Sequence, residues 1–598
     1  MKIVANLSRT FGVGCIAAAL AAAVVAQSPP VSDAGVARLS VVEGSVSTQR
    51  GSGSDWTAAA VNAPMLGGDS VATSDGRAEV QLDFANLIRL DGNAQATIAG
   101  LTRSQIQIQV GQGLVNYVVL RNAESSAEVD TPNVAVHPHG PGDYRVQVNS
   151  DSESLVIVRS GQAEVSTPQG STTLYQGQMI TVEGTDNPQY QVADAPGRDG
   201  FDDWNQSRDR QEENAESWSH ANHYYTGVND LDAYGHWVFV PGYGQVWSPA
   251  EAGGWVPYSA GRWVSEPGWG WTWVSSEPWG WAPYHYGRWF YYQTGWVWWP
   301  GPVAVTPRYR PVWAPAYVSF VGLHVGGVSV GVGFGSVGWV PVGPADPYRP
   351  WWGGREASRV NVTNINVTNV NVTNVNVTNV RVVQPLMPVG EGRAQYSNLS
   401  RMSSDPHVAA AVVSVRSDQF GHGEVVRQRV SVNEIRQGQV MGGALPMQRT
   451  KESMRVSDRA VNVAALPRAA TAPPQRFYSA AGPRPAVARM SRNEYMAARP
   501  EAARGENANR LAPAGGDNAN RPGPARVDNA SRPAPAAGNA AAARPGYQRF
   551  GDNSRPSGVR PNQEQPQPQP AARGASGFNS NHPAPAANNN ATPRPDYQ

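Results

Sequence analysis

From Ala37 to Val182, apolar and polar residues alternate with a period of two in short runs broken by Gly, Asp, Asn and Ser. Val80, Leu82 and Phe84 alternate with Glu79, Gln81 and Asp83. Ile106, Ile108 and Val110 alternate with Gln105, Gln107 and Gln109, and Tyr144, Val146 and Val148 with Arg145 and Gln147. Each run turns one apolar face inward and one wet face outward, and the regular turn spacing predicts an all-β sandwich or roll over 37–185. The pattern then changes. Residues 201–225 are rich in Glu, Asp, Asn, Gln and Arg, with Phe201, Trp204 and Trp218 as apolar marks. This predicts a short helical connector whose acidic residues are mostly solvated.

Residues 226–352 follow a third pattern. Gly235-His236-Trp237, Gly261-Arg262-Trp263 and Gly287-Arg288-Trp289 recur every 26 residues. Within the same units stand Gly244 to Trp247, Gly270 to Trp273 and Gly295 to Trp298. A fixed period of this kind marks paired or stacked supersecondary units, none of which buries its apolar face alone. Short aromatic runs divided by Pro and Gly predict strands and turns, so the segment reads as a Trp-rich β repeat module. Val318 to Phe320, the alternating Val328, Val330, Val332 and Phe334, and Trp339-Val340-Pro341 extend it. Of the 20 Trp in the chain, only Trp56 lies outside 204–352, so these rings are the main source of burial there.

Beyond the module, residues 359–382 repeat the pentad Asn-Val-Thr-Asn-Val, which suits a turning β-ladder or an extended arm. Its Asn-x-Thr triplets arise automatically from the repeat. Residues 405–450 regain apolar pattern around Gly421-His422-Gly423, predicting a small β-like patch that docks back on the Trp module. Residues 467–598 are Ala, Pro, Arg, Asn and Gln with little aliphatic clustering, the composition of a long disordered tail.

The net charge of +1 conceals an acidic excess before Asp203 and an Arg excess after Leu466. Lys2 and Arg9, the apolar run from Phe11 to Ala26 and the small residues Val24-Val25-Ala26 form a signal-peptide layout over 1–26. The run falls short of a membrane span. Cleavage there removes Cys15, the single cysteine, and leaves a chain held by packing without disulfides. The expected location is periplasmic or secreted, with no membrane span after cleavage.

Gly68 to Val80, Val129-Asp130-Thr131-Pro132, Val158 to Val165 and Gly177-Gln178, in that order, resemble the FecR domain. The resemblance implies a periplasmic β domain. In well-known members a cytoplasmic N-terminal part controls a sigma factor, whereas about ten residues precede the apolar run here, too few for that role. Ala85-Asn86 replaces the family's usual Asp-Gly turn, and Val136 to Tyr144 alters its Gly-Thr-x-Phe element. Residues 201–352 are similar to an uncharacterised Trp/Pro/Gly-rich family often found behind such domains in exported bacterial proteins.

No His-Glu-x-x-His or phosphate-loop pattern occurs, and a mature chain without Cys has no thiol nucleophile. His137 with His139, and His220 with His223, are spaced as ligand pairs but lack a third partner nearby, so neither a metal nor another cofactor is expected. Trp237, Trp263, Trp289, Trp247, Trp273 and Trp298 are the expected repeat core. Trp269, Trp271 and Trp296 are the candidates for a sugar-stacking platform. The reading is a non-enzymatic cell-envelope scaffold or adaptor with an envelope protein or cell-wall polymer as partner and no nucleic acid. The alternatives are a FecR-like signalling module contacting an outer-membrane receptor or transducer, and a polysaccharide- or peptidoglycan-binding protein using exposed Trp.

Overall fold

The computed structural model describes residues 34–51, 53, 55–303, 311, 313–323, 335–352, 361–364, 396–480 and 546–550. The expected signal peptide, the run from Val328 to Phe334 and most of the pentad repeat lie outside the described residues. Strands dominate, as the alternation predicts, and the fold is all-β with few short helices.

Two sheets form the N-terminal unit, and the long strand Gln105–Val119 belongs to both. Its first half pairs with Gln95–Leu101 and, in parallel, with Ser126–Asp130. Its second half pairs with Asn86–Leu90 and Gly142–Ser150. The changeover falls at Gly113, whose φ is +83°, and a Cβ there would meet the Cα of Ala94 at 2.6 Å. Only glycine takes that conformation beside so close a neighbour. The apolar faces of the alternating runs meet in one core that includes Leu39, Val80, Ile88, Ile106, Ile108, Val146 and Ile180. The unit extends past residue 185, because Gln189–Asp194 adds a further strand alongside Gln178–Glu183.

The connector forms the helix Gly200–Asn214, started by Asp199, which caps the N–H groups of Phe201 and Asp202 while Asp202 caps Asp199 in return. Such reciprocal capping satisfies donors that the first helical turn leaves open. Two of its acidic residues depart from the solvated expectation. Asp202 and Glu212 are buried, because the helix lies on Arg-bearing strands of the N-terminal unit. Arg145 reaches Asp199 and Asp202, Arg159 reaches Asp202, and Arg208 of the helix reaches Glu79 at 2.6 Å. Burial pushes the Glu79 carboxyl up, but Arg89 and Arg208 outweigh it and hold it down at about 2.

Each 26-residue repeat is a β-hairpin with two Trp directly opposite each other: Trp237 with Trp247, Trp263 with Trp273, and Trp289 with Trp298. Facing aromatic side chains are favourable cross-strand pairs. The Gly that opens each unit has a packing role as well. A Cβ on Gly235, Gly261 or Gly287 would lie 2.8 Å or less from the ring of Trp247, Trp273 or Trp298, respectively. The hairpins do not stack uniformly. The first and third join through Trp247 and Trp298 into a four-stranded sheet, while the second stands as a two-stranded ribbon. A fourth aromatic pair, Phe320 with Trp339, sits on Val318–Leu323 and Ser336–Pro341.

Residues 405–450 contribute Val413–Arg416 and Gln439–Gly442 to the sheet carrying that fourth pair, and Asn361–Asn364 of the pentad repeat extends it. Two pieces of the stretch expected as tail also have described positions. Residues 467–480 lie on the N-terminal unit, where Trp56 Nε1 donates to Ala470 O (3.0 Å) and the Tyr478 N–H to Thr131 O (3.0 Å). Gln548–Arg549 pairs with Gln189–Asp194. The remainder of 467–598 lies outside the described residues. Among the described residues, no helix is long and apolar enough to cross a membrane.

Candidate functional site: the seam between the two β units

The second hairpin explains how the N-terminal unit and the Trp module meet. Along Gly261–Glu266 side chains alternate, so Trp263 faces the aromatic core while Arg262, Val264 and Glu266 take the other face. Val264 and Val274 are counted in the apolar core of the N-terminal unit, and Trp263 and Trp273 in that of the Trp module. A two-stranded ribbon is thus buried on both sides. The 26-residue register marks this hairpin out from the other two. Where it has Glu266, the first repeat has Val240 and the third Tyr292.

Charged and amide side chains fix the seam. Arg38, buried on the N-terminal unit, donates from Nε to Asn62 Oδ1 (3.1 Å) and pairs through Nη2 with Asp230 of the module. Asn62 occupies a left-handed turn with φ +63°, a conformation Asn tolerates better than most residues. From there its amide nitrogen donates to the backbone oxygen of Glu277 (2.8 Å). Gln81 Oε1 accepts the Gly227 N–H at 3.0 Å. Arg50 ties Asp69, at 2.9 Å, to Glu266 across the seam. Burial drives Glu266 up to about 7, against the pull of Arg50.

Glu277 sits beside these contacts in a different environment. Its Oε2 accepts from the hydroxyls of Tyr284 (2.6 Å) and Ser275 (2.9 Å), and its Oε1 from Trp255 Nε1 (2.7 Å). Burial raises it to about 7 despite those donors, and the charge of Glu251 adds to the rise. His285, buried and stacked on Trp313, donates through Nδ1 to Ala314 O at 2.7 Å, and burial lowers it to about 3, so it is neutral.

At one end of the seam is a cleft of about 580 Å³ where Ala60 and Val61, the second hairpin and residues 424 and 456–459 converge. Arg262 lines it, bound through both terminal nitrogens to Asp458 (3.1 and 2.8 Å) and through Nε to Glu424 (3.4 Å). Arg459 reaches across to Ala59 O at 2.5 Å. The cleft's guanidinium is occupied by carboxylates of the same chain, which makes it a join between three segments.

Of the expected repeat core, Trp247, Trp263, Trp273, Trp289 and Trp298 are buried, whereas Trp237 is half-buried at the margin. The indole N–H groups of Trp247, Trp289 and Trp298 donate to the backbone oxygens of Leu231, Pro283 and Tyr286. The platform expectation needs correction. Trp269 is covered by Trp313 and Trp352, Trp271 by Phe420, and Trp296 is buried with Tyr291 beside it. A ring with under a tenth of its surface exposed offers no open face to a pyranose. The His residues of the two ligand-spaced pairs each have other neighbours. His137 binds Glu128 at 3.1 Å, His139 lies 3.9 Å from Glu164, His220 packs on Trp237, and His223 packs on Phe84. Among the described residues, no group of three or more His, Cys, Asp or Glu is placed to hold a metal ion.

Composition alone did not single out Arg38, Arg50, Asn62, Asp69, Glu266 and Glu277. The available signal was the presence of Glu266 and Glu277 inside an aromatic module poor in charge.

Residues 228–346 match the model of DUF6600, a family of unknown function. No curated protein matches the sequence. Two crystal structures of a "putative anti-sigma factor" from Parabacteroides distasonis ATCC 8503 are similar to part of the chain. One shares 18% identity over 21% of this chain and 57% of that one, with a TM-score of 0.19. The other shares 21% identity over 21% and 54%, with a TM-score of 0.15. The chain therefore spans just over half the length of these solved structures, and likeness at this level carries no functional argument.

Proposed function

We propose that the protein is an exported, non-enzymatic component of the cell envelope that acts as a scaffold or adaptor. In this reading its N-terminal β unit is a FecR-like domain and its Trp module a rigid platform fused to it. The single observation that carries the proposal is the seam. Two units joined by a hairpin buried on both faces and by Arg38–Asp230 and Arg50–Glu266 pairs keep one mutual arrangement. Fixed geometry is what a protein needs to hold a partner in a defined position, because little ordering is then left for the binding step. The signal-peptide layout of residues 1–26 supports export. The partner class is an envelope protein or a cell-wall polymer.

The test is crosslinking in intact producing cells, followed by capture of the tagged full chain and fractionation of the envelope. A single dominant envelope partner whose yield falls when Arg50 is replaced by Ala supports the scaffold. Capture of a receptor or transducer would assign the protein to signalling instead. Recovery of an intact Met1 in cytoplasmic protein would overturn the reading.

A further inference from the structure

The strand Gln189–Asp194 forms a sheet margin with an occupant from far along the chain. On one side it pairs along its whole length with Gln178–Glu183. On the other, Gln548–Arg549 pairs with Gln189 and Tyr190 alone. Among the described residues, no strand pairs with Gln191–Asp194 on that side. A sheet margin is a template for any extended segment that satisfies its backbone groups, and side-chain pockets next to it set which segment fits.

Those pockets are aromatic and polar. Phe550 is buried with its ring centroid 4.4 Å from that of Tyr190. The Tyr190 hydroxyl donates to Gln548 Oε1 (3.0 Å), and the Tyr547 hydroxyl to Glu183 Oε1 (3.0 Å). The occupying segment is thus Tyr-Gln-Arg-Phe, anchored at both ends by aromatic rings and in the middle by a short ladder. In sequence, residues 481–545 separate it from the preceding described segment.

We propose that the outer margin of Gln189–Asp194 is a strand-addition site for an extended partner peptide with two aromatic residues three apart. Residues 547–550 are its built-in occupant. A two-residue ladder is short enough to be displaced by a partner that pairs with all six residues of the margin. The intramolecular segment then sets the threshold concentration a partner must exceed, since it competes without having to diffuse in. This inference does not rest on the scaffold reading.

The test titrates a fluorescent peptide spanning residues 544–553 against the full chain and two full-length variants. Phe550→Ala should bind the peptide at least tenfold more tightly than the parent, because the internal competitor is weakened. Adding Tyr190→Ala to that variant should abolish binding. A parent that dimerises in a manner lost in Phe550→Ala would support the same site, filled by a second copy's segment. Equal, undetectable binding in parent and Phe550→Ala, while hydrogen exchange at 189–194 quickens in the variant, would overturn the proposal and leave the segment a structural clasp.

Discussion

Gly261 lies beneath the indole of Trp273, so close that a Cβ on it would sit 2.7 Å from Cζ2 of the ring and 2.4 Å from the Val274 carbonyl oxygen. The first and third hairpins repeat the relationship with Gly235 under Trp247 and Gly287 under Trp298. The Gly-x-Trp repeat is therefore a packing device. Glycine at the start of one strand opens the space that the indole of the opposite strand fills, and the pair is set by the register of the hairpin.

Gly261→Ala should destabilise the protein by about 2–4 kcal/mol, since a methyl there meets both ring and backbone and the residue's φ is +149°. Thermal melts read the effect, and near-UV circular dichroism should lose Trp signal in step. Gly253→Ala, where nothing lies within 4 Å of the added Cβ, is the control. Equal melting of the two variants would contradict the packing role.

The three repeat Trp should not behave alike. Trp263 and Trp289 are buried, and truncation to Ala is expected to cost about 3–5 kcal/mol each. Trp237 is half-buried and holds Ser217 Oγ through its Nε1 at 2.8 Å, so its truncation should cost roughly half as much. Melting temperatures ranked Trp263→Ala and Trp289→Ala below Trp237→Ala would agree with this. The reverse order would not.

How far the sequence foretells this arrangement depends on which forces act locally. The alternation of Val80, Leu82 and Phe84 against Glu79, Gln81 and Asp83 was legible because a strand has one period and one inner face. The hairpins were legible because Gly and Pro recur with the aromatic runs. Burial of Trp269, Trp271 and Trp296 was not, because their covers, Trp313, Trp352, Phe420 and Tyr291, are mostly remote in the chain. The seam was equally hidden. Arg38 meets Asp230 and Arg50 meets Glu266 about two hundred residues apart, and no periodicity encodes such pairs. The helix charges misled for a related reason. Asp202 and Glu212 look solvated until Arg159 and Arg208 are brought to them.

Removing one partner of the Arg50–Glu266 pair should cost more than removing both. Arg50→Ala leaves Glu266 and Asp69 without their shared cation in a buried place, an expected loss of about 3–5 kcal/mol. Arg50→Met combined with Glu266→Leu replaces charge with apolar volume and should recover much of that loss. Urea titrations of Arg50→Met, Glu266→Leu and the double variant form the necessary cycle. Additive costs would mean that the two residues do not act as a pair.

Glu277 predicts a pH dependence whose sign is fixed by burial. Its folded-state pKa is raised to about 7 from an ordinary 4.5, so between those values the folded chain holds a proton that the unfolded chain has released. The stabilising contribution is complete below about pH 4.5 and is lost as pH rises through 7. Between pH 6 and 8 the loss from this one group should be about 1 kcal/mol. Glu266, raised to about 7, works in the same direction, whereas Glu79, held at about 2, is ionised throughout that range. Glu277→Gln mimics the protonated form, because the Ser275 and Tyr284 hydroxyls can turn to accept where they now donate. Urea titrations at pH 6 and pH 8 should therefore show a parent that weakens on alkalinisation and a Glu277→Gln variant that weakens by about 1 kcal/mol less. A variant with the parent's full slope would place the Glu277 carboxylate in water and refute its burial in the seam.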